Sequence, residues 1–331
     1  VIWDFGFAIW ESDGAGDATC RLKITNHKSQ ITNWLALFCI ALLMFGCGRS
    51  PNHVATASGR RIVCLSPAIT QMLIDLGLSG DIVGGGRFDP VLPKGAAVVG
   101  DLRQLDYEKL LAMRPTLILR QPERNDVPDR LPELAKQYGW RVYAWRIDTM
   151  EDLYRVLCEG ADNMGAVVGR EKEAATLAAK VRGRFAALRR ATEGMERPRV
   201  LLLVGVSSTF TAVGPGTVLD EMLDAAGGVN VMSDAKVTYP VLDREDVLLR
   251  RPDVVVTIEG REGATGAIEP TGGLAGLDIP AVKNHRVMQM SDPVALLPST
   301  SGPRVAVKLA KLLHPSQAEA FEHILNGDEQ R

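Results

Sequence analysis

Three glycines, Gly84 to Gly86, run into Arg87 and Phe88 at the end of a short stretch, Asp81 to Val83, that reads as a strand. Glycine lets a backbone pass close to a bound molecule, and a guanidinium beside an aromatic ring offers that molecule both charge and an apolar face. The same glycines would also serve a tight connection, and the sequence leaves both readings open. Arg120-Gln121-Pro122 closes a second apolar stretch, Leu117 to Leu119, while Ser207 to Thr211, with Phe210 inside it, follows a third, Val200 to Val204. Tips of this kind after buried strands are where open α/β sheets bind ligands, in the crevice beyond the carboxyl ends of the strands. The pattern fits capture rather than turnover. There is no Gly-x-Ser-x-Gly, no phosphate loop, no Gly-x-Gly-x-x-Gly after a strand, no His-Glu-x-x-His and no Cys-x-x-Cys. His285 and His314 read as surface residues, so no catalytic group, metal site or resident cofactor is expected.

What must position these tips is a stretch that the chain carries twice. Leu105 to Leu119 reads LDYEKLLAMRPTLIL, and Leu242 to Val256, 137 residues later, reads LDREDVLLRRPDVVV, with six positions identical. Each copy reads as an Asp N-cap, a short helix with one apolar face, a stop before proline, and an apolar run suited to a buried parallel strand. Arg61 to Leu65 precedes the first copy much as Arg199 to Leu203 precedes the second. A long repeat present only twice indicates two similar α/β lobes rather than a solenoid. Two lobes enclose a cleft.

With 331 residues the chain has room for two domains of ordinary size. Its composition, 46% hydrophobic and 24% charged with a net charge of -2, is that of a soluble globular protein. No basic excess points to nucleic acid as a partner. Cys64, inside the apolar run Ile62 to Leu65, and Cys158, inside a predicted helix, read as buried free thiols; the other cysteines, Cys20, Cys39 and Cys47, lie in or before a targeting segment.

That segment begins with a positive flank, Arg21, Lys23, His27 and Lys28, followed by the 13-residue uncharged run Trp34 to Gly46. The run has the length of a signal-peptide core and is short for a membrane span. It ends at Cys47, and Leu43 to Cys47 resembles the lipobox of bacterial lipoproteins, with Met44 and Phe45 departing from the usual Leu and small residue. The resemblance implies lipidation of Cys47, the alternatives being simple secretion or an uncleaved anchor.

The expected organisation is an upstream segment and signal peptide over 1–46, a polar tether over 47–60, an amino-terminal α/β lobe over 61–149, linking helices over 150–197 and a carboxyl-terminal α/β lobe over 198–331. Within the linker, Glu171 to Glu196 predicts one long helix joining the lobes as a strut. Leu131 to Tyr138, Val218 to Ala226 and Pro303 to Leu313 predict further helices, and Gly260 to Gly276 a glycine-rich loop.

In this order, Arg61 to Pro67, the LDYEKLLAMRPTLIL copy, the strut, Tyr239-Pro240 and the LDREDVLLRRPD copy resemble the helical-backbone substrate-binding proteins of ABC importers, which bind cobalamin, ferric siderophores or haem. The resemblance covers about Arg60 to Leu313. It implies two Rossmann-like α/β lobes joined by one long helix, with the ligand in the cleft between them. It implies ligand contacts by Phe88, Phe210 and Tyr239, with Arg87, Arg103 and Arg120 placed to pair with carboxylates of a siderophore or haem. Cobalamin binders carry more aromatics there, at positions that match Leu102 and Gln121 here, which counts against cobalamin. Glu108 and Glu245 match the paired glutamates that dock on the two subunits of the permease dimer. Each would also complement the dipole of the helix it opens, but a two-fold partner requires matching charges on both lobes. The expected protein is a monomeric, lipid-anchored carrier of an iron complex or corrinoid outside the cytoplasmic membrane. The alternatives are a ligand sensor or structural lipoprotein of the same fold, and a two-lobed α/β enzyme.

Overall fold

Strand β1, Ile62–Cys64, is wholly buried and sits at the centre of the first of two sheets. The computed structural model describes residues 59–100, 104–122, 130–206 and 209–326. Helix α1 (Pro67–Asp75) follows, then β2 (Ile82–Gly85), β3 (Ala97–Val98), α2 (Tyr107–Met113), β4 (Leu117–Arg120), α3 (Leu131–Tyr138) and β5 (Arg141–Ala144). The strands pair in the order β3-β2-β1-β4-β5, all parallel. The central strands read as continuous apolar runs because both faces are covered. Ile62, Cys64, Leu117 and Leu119 enter one core cluster, while Val63 and Ile118 enter another.

The chain then turns through α4 (Met150–Cys158) and α5 (Met164–Val168) into α6 (Glu171–Thr192). Helix α6 buries Ala174, Ala178, Val181, Phe185, Leu188 and Thr192, a stripe at alternating spacings of four and three. Its 22 residues make a rod of about 33 Å. It stops short of the predicted Glu196, because Glu193 is already extended and Gly194 turns left-handed with φ 75°.

The second sheet comprises β6 (Arg199–Val206), β7 (Phe210–Ala212), β8 (Val229–Asn230), β9 (Val241–Leu242), β10 (Val254–Glu259), β11 (Gly266–Ala267) and β12 (Val287–Ser291). Its order is β11-β12-β10-β6-β7-β9, with β8 paired to the start of β6. Strands β8, β6, β10 and β12 are mutually parallel, but β7 folds back antiparallel on β6, and β9 and β11 are antiparallel edges. The segment expected to cross the tip of the sheet thus begins a hairpin at Phe210. Helices α7 (Val218–Ala225), α8 (Arg244–Arg250), α9 (Pro280–Lys283), α10 (Gly302–Leu313) and α11 (Ala318–Asn326) complete the lobe, α9 and α11 being additions to the expected set.

The repeat is structural as well as textual. Asp106 caps α2 by accepting a bond from the Lys109 N–H at 3.0 Å, and Asp243 caps α8 through the Asp246 N–H at 2.9 Å. Each helix ends on a left-handed arginine, Arg114 with φ 47° and Arg251 with φ 45°, ahead of its proline. A residue before proline is driven out of the helical region, and the left-handed turn closes the helix instead. The strand that follows pairs beside the lobe's first strand in matching register, Ile62 with Leu117 and Val200 with Val254. Both lobes lie in one compact unit, and one apolar cluster runs through it from Ile62 and Leu73 by way of Val181 and Phe185 to Leu219, Val305 and Leu309.

Candidate ligand-binding site

A cavity of about 390 Å³ opens where Ile147 and Asp148, between β5 and α4, face the start of α7, the segment Val237 to Tyr239 and the loop Ala295 to Pro298. Its shape follows from local turns. Gly216 is left-handed with φ 72°, which delivers Thr217 as the N-cap of α7, accepting from the Asp220 N–H at 3.2 Å. Gly214 donates to the Thr238 carbonyl at 2.8 Å, and a Cβ at Gly214 would meet the Val237 carbonyl at 2.4 Å, so only glycine lets this segment lie so close. That approach fixes Tyr239 at the cavity. Burial, aided by the negative charge of Asp148, pushes the Tyr239 phenol above its ordinary pKa, so it is protonated at neutral pH. The site therefore offers a ring and a neutral hydroxyl beside the Asp148 carboxylate, with apolar side chains from Ile147, Leu219, Met222 and Leu297 around them.

Leu296 also lines a second cavity, of about 340 Å³, at the carboxyl ends of β6 and β10. Here Glu259 accepts two bonds from Arg261, at 2.8 Å from Nε and 3.2 Å from Nη2, and a third from Gln289 Nε2 at 3.2 Å. The bond from Arg261 is the chief reason that the Glu259 carboxyl lies below its usual range. Neither residue was in the predicted set. The rule that selected Arg120 at the tip of β4 applies equally to Glu259, but β10 runs past the Val256 at which the repeat was read to end.

Of the predicted ligand contacts, Tyr239 lines the first cavity, while Arg87, Phe88 and Arg120 stand at the ends of β2 and β4 and line neither cavity. Phe88 is 77% exposed on a loop held by Asp89, which accepts from the Thr70 hydroxyl at 2.6 Å and from the Val91 N–H at 3.0 Å. Two of the preceding glycines are explained by packing, since a Cβ at Gly84 would strike Met113 and one at Gly85 would strike Leu92. Phe210 requires correction. It is wholly buried in the core of the second lobe, its ring against Gly273, because the hairpin turns it inward. Arg103 and Cys47 lie outside the described residues.

Glu108 and Glu245 are exposed in the first turns of α2 and α8 and enter no ion pair with a described residue. Cys64 is buried, its thiol pushed up to about 12 by desolvation, and Cys158 is half-buried. His285 is exposed, whereas His314 is half-buried against the Ala226 carbonyl and Phe321, and burial lowers its pKa. Among the described residues no cluster of three or more His, Cys, Asp or Glu is placed to hold a metal ion, and no helix is long and apolar enough to cross a membrane.

The model of the periplasmic binding protein family matches residues 62–294, from β1 to just beyond β12. The chain belongs to the periplasmic binding protein family. Periplasmic binding proteins of this family are transport substrate binders and not enzymes. Among relatives, the chain is similar to a vitamin B12-binding protein of Photorhabdus laumondii, at 25% identity over 225 residues that cover 67% of this chain and 78% of that protein. It is similar to a cobalamin-binding protein of Halobacterium salinarum at 32% identity over 206 residues, 60% of this chain and 53% of that one. Two solved structures share the fold. A periplasmic heme-binding protein from Roseiflexus sp. RS-1 superposes with a TM-score of 0.63 at 24% identity, over 79% of this chain and 99% of that one. A periplasmic vitamin B12 binding protein of Vibrio cholerae gives 0.57 at 22% identity, over 78% and 98%.

Proposed function

We propose that this periplasmic binding protein captures a corrinoid in the cleft between its lobes and delivers it, unchanged, to an ABC importer. The reading rests on the cavity where Ile147 and Asp148 face Tyr239 and the start of α7, with a second cavity sharing Leu296 beside it, in a chain whose relatives are named for vitamin B12 and cobalamin. A large macrocycle with an amide rim suits walls that combine apolar side chains with the hydrogen-bonding groups of Thr217, Thr238, Tyr239 and Asp148. The aromatic count weighs against cobalamin, and the names of the relatives are what favour a corrinoid over an iron complex in this proposal. Haem or a ferric siderophore is the second reading, motivated by Tyr239 as a ligand for iron. Asp148 works against it, since a neighbouring negative charge disfavours the phenolate that iron would bind.

Delivery is supported by Glu108 and Glu245, exposed at matched positions of the repeat and suited to basic pockets on the two permease subunits. Cys47 is assigned as the lipid anchor that holds a monomer at the outer face of the cytoplasmic membrane, and Cys47→Ala is expected to release the protein in soluble form. The functional test is a binding titration of the purified full chain against cyanocobalamin, haemin and a ferric hydroxamate. Tightest binding to cyanocobalamin supports the proposal. Tightest binding to either iron complex installs the second reading, and binding of none with turnover of another small molecule returns the enzyme alternative.

A further inference from the structure

Glu259 and Arg261 line the smaller cavity together with Val204, Val206 and Leu296. They form a two-point pair, and Gln289 Nε2 and the Ser291 hydroxyl also donate to the carboxylate. Arg261 is otherwise mostly in water, its side chain 74% exposed against 24% for Glu259. The anchored member is therefore the acid, and the guanidinium leans on it. A pair so open is worth little to stability, which leaves its arrangement open to another purpose.

We propose that this pair is a charge-neutral selector that admits ligands rimmed with carboxamides and refuses those rimmed with carboxylates. The inference rests on the corrinoid reading and deepens it. A ligand seated against Val204, Val206 and Leu296 covers the pair and removes water, so charge imbalance there becomes expensive. The pair itself sums to zero. A carboxamide can donate its N–H to Glu259 and accept from a remaining N–H of Arg261, leaving that sum unchanged. A carboxylate on the ligand has no proton for Glu259, finds the Arg261 charge already answered, and leaves the covered site with one uncompensated negative charge. An arginine without its glutamate would do the reverse.

The test compares cyanocobalamin with its monocarboxylic acids, in which one peripheral amide has been hydrolysed, on the purified full chain and its Glu259→Gln and Arg261→Gln variants, with circular dichroism to confirm folding. Wild type is expected to prefer the amide by about tenfold, Glu259→Gln to shift that ratio about tenfold toward the acid, and Arg261→Gln to shift it further toward the amide. A ratio that stays within about twofold of wild type in both folded variants overturns the selector while leaving corrinoid capture intact. Should one variant fail to fold, the shift in the other decides. Wild type that binds neither compound overturns the corrinoid reading and the selector together.

Discussion

Glu221 on α7 accepts a hydrogen bond of 2.8 Å from the backbone N–H of Met150, the first residue of α4. Beside it the Val218 N–H donates to the Asp148 carbonyl at 2.9 Å. A carboxylate from one lobe thus meets the unsatisfied amide end of a helix that leaves the other, next to the wall of the cavity that Tyr239 lines. Removing it with Glu221→Ala is expected to lower stability by about 1–2 kcal/mol in urea denaturation, with the slope unchanged. Burial raises the pKa of Glu221, with the Met150 bond opposing it. The folded state therefore holds the proton more tightly than the unfolded chain. The pH-linked part of its contribution is fully present below the unfolded pKa and is lost as pH rises through the folded one, leaving the Met150 bond as what remains, so Glu221→Gln is expected to flatten that decline.

Asp292 behaves in the opposite sense. It is buried, and burial alone would raise its pKa, but a bond from Lys308 at 2.5 Å, another from the Val294 N–H and the charge of Arg304 together bring it below the ordinary value. The stability it contributes is present above the unfolded pKa and is lost as pH falls through the folded one. Asp292→Asn is expected to cost about 2 kcal/mol at neutral pH, less than a fully buried pair because both cations reach water, and to lose most of that effect in acid. Denaturation midpoints at neutral and acid pH check both statements.

Reversing both exposed acids, Glu108→Arg with Glu245→Arg, is expected to reduce uptake into cells or reconstituted vesicles by at least about tenfold while ligand affinity stays within about twofold. The carboxylates open α2 and α8 and line neither cavity. An equal loss of affinity would show instead that the helix starts shape the cleft.

Tyr239→Ala should do the reverse, weakening ligand binding by about tenfold or more as the ring's contact is lost. Tyr239→Phe, which keeps the ring, is expected to stay within about threefold, since the hydroxyl acts only as a neutral partner. Isothermal titration of the two variants separates ring from hydroxyl.

Closure on binding is expected to be small. The apolar cluster continues from the first lobe through α6 into the second, and sliding the lobes apart would expose it. Small-angle scattering with and without ligand should give nearly superimposable profiles, and a marked compaction would contradict the argument.

The sequence by itself determined everything that local chemistry controls. The Asp106 and Asp243 caps, the stops at Arg114 and Arg251, and the strands that follow are set by residues within a few positions of one another, and their repetition indicates two α/β lobes. The spacing of buried residues along α6 was legible for the same reason, although its last turn was not: Glu193 and Gly194 end it where composition alone still favours helix. The tertiary structure decided what depends on pairing between distant residues. Whether Phe210 faced the ligand or the core turned on a hairpin between β6 and β7, and one register of pairing there sends its ring inward. Asp148 reaches Tyr239, and Gln289 reaches Glu259, only because separate strands and loops converge at the carboxyl ends of the sheets. Caps and periodicity are energies of neighbours along the chain, whereas a binding site is an energy of neighbours in space, and it was settled when the lobes packed.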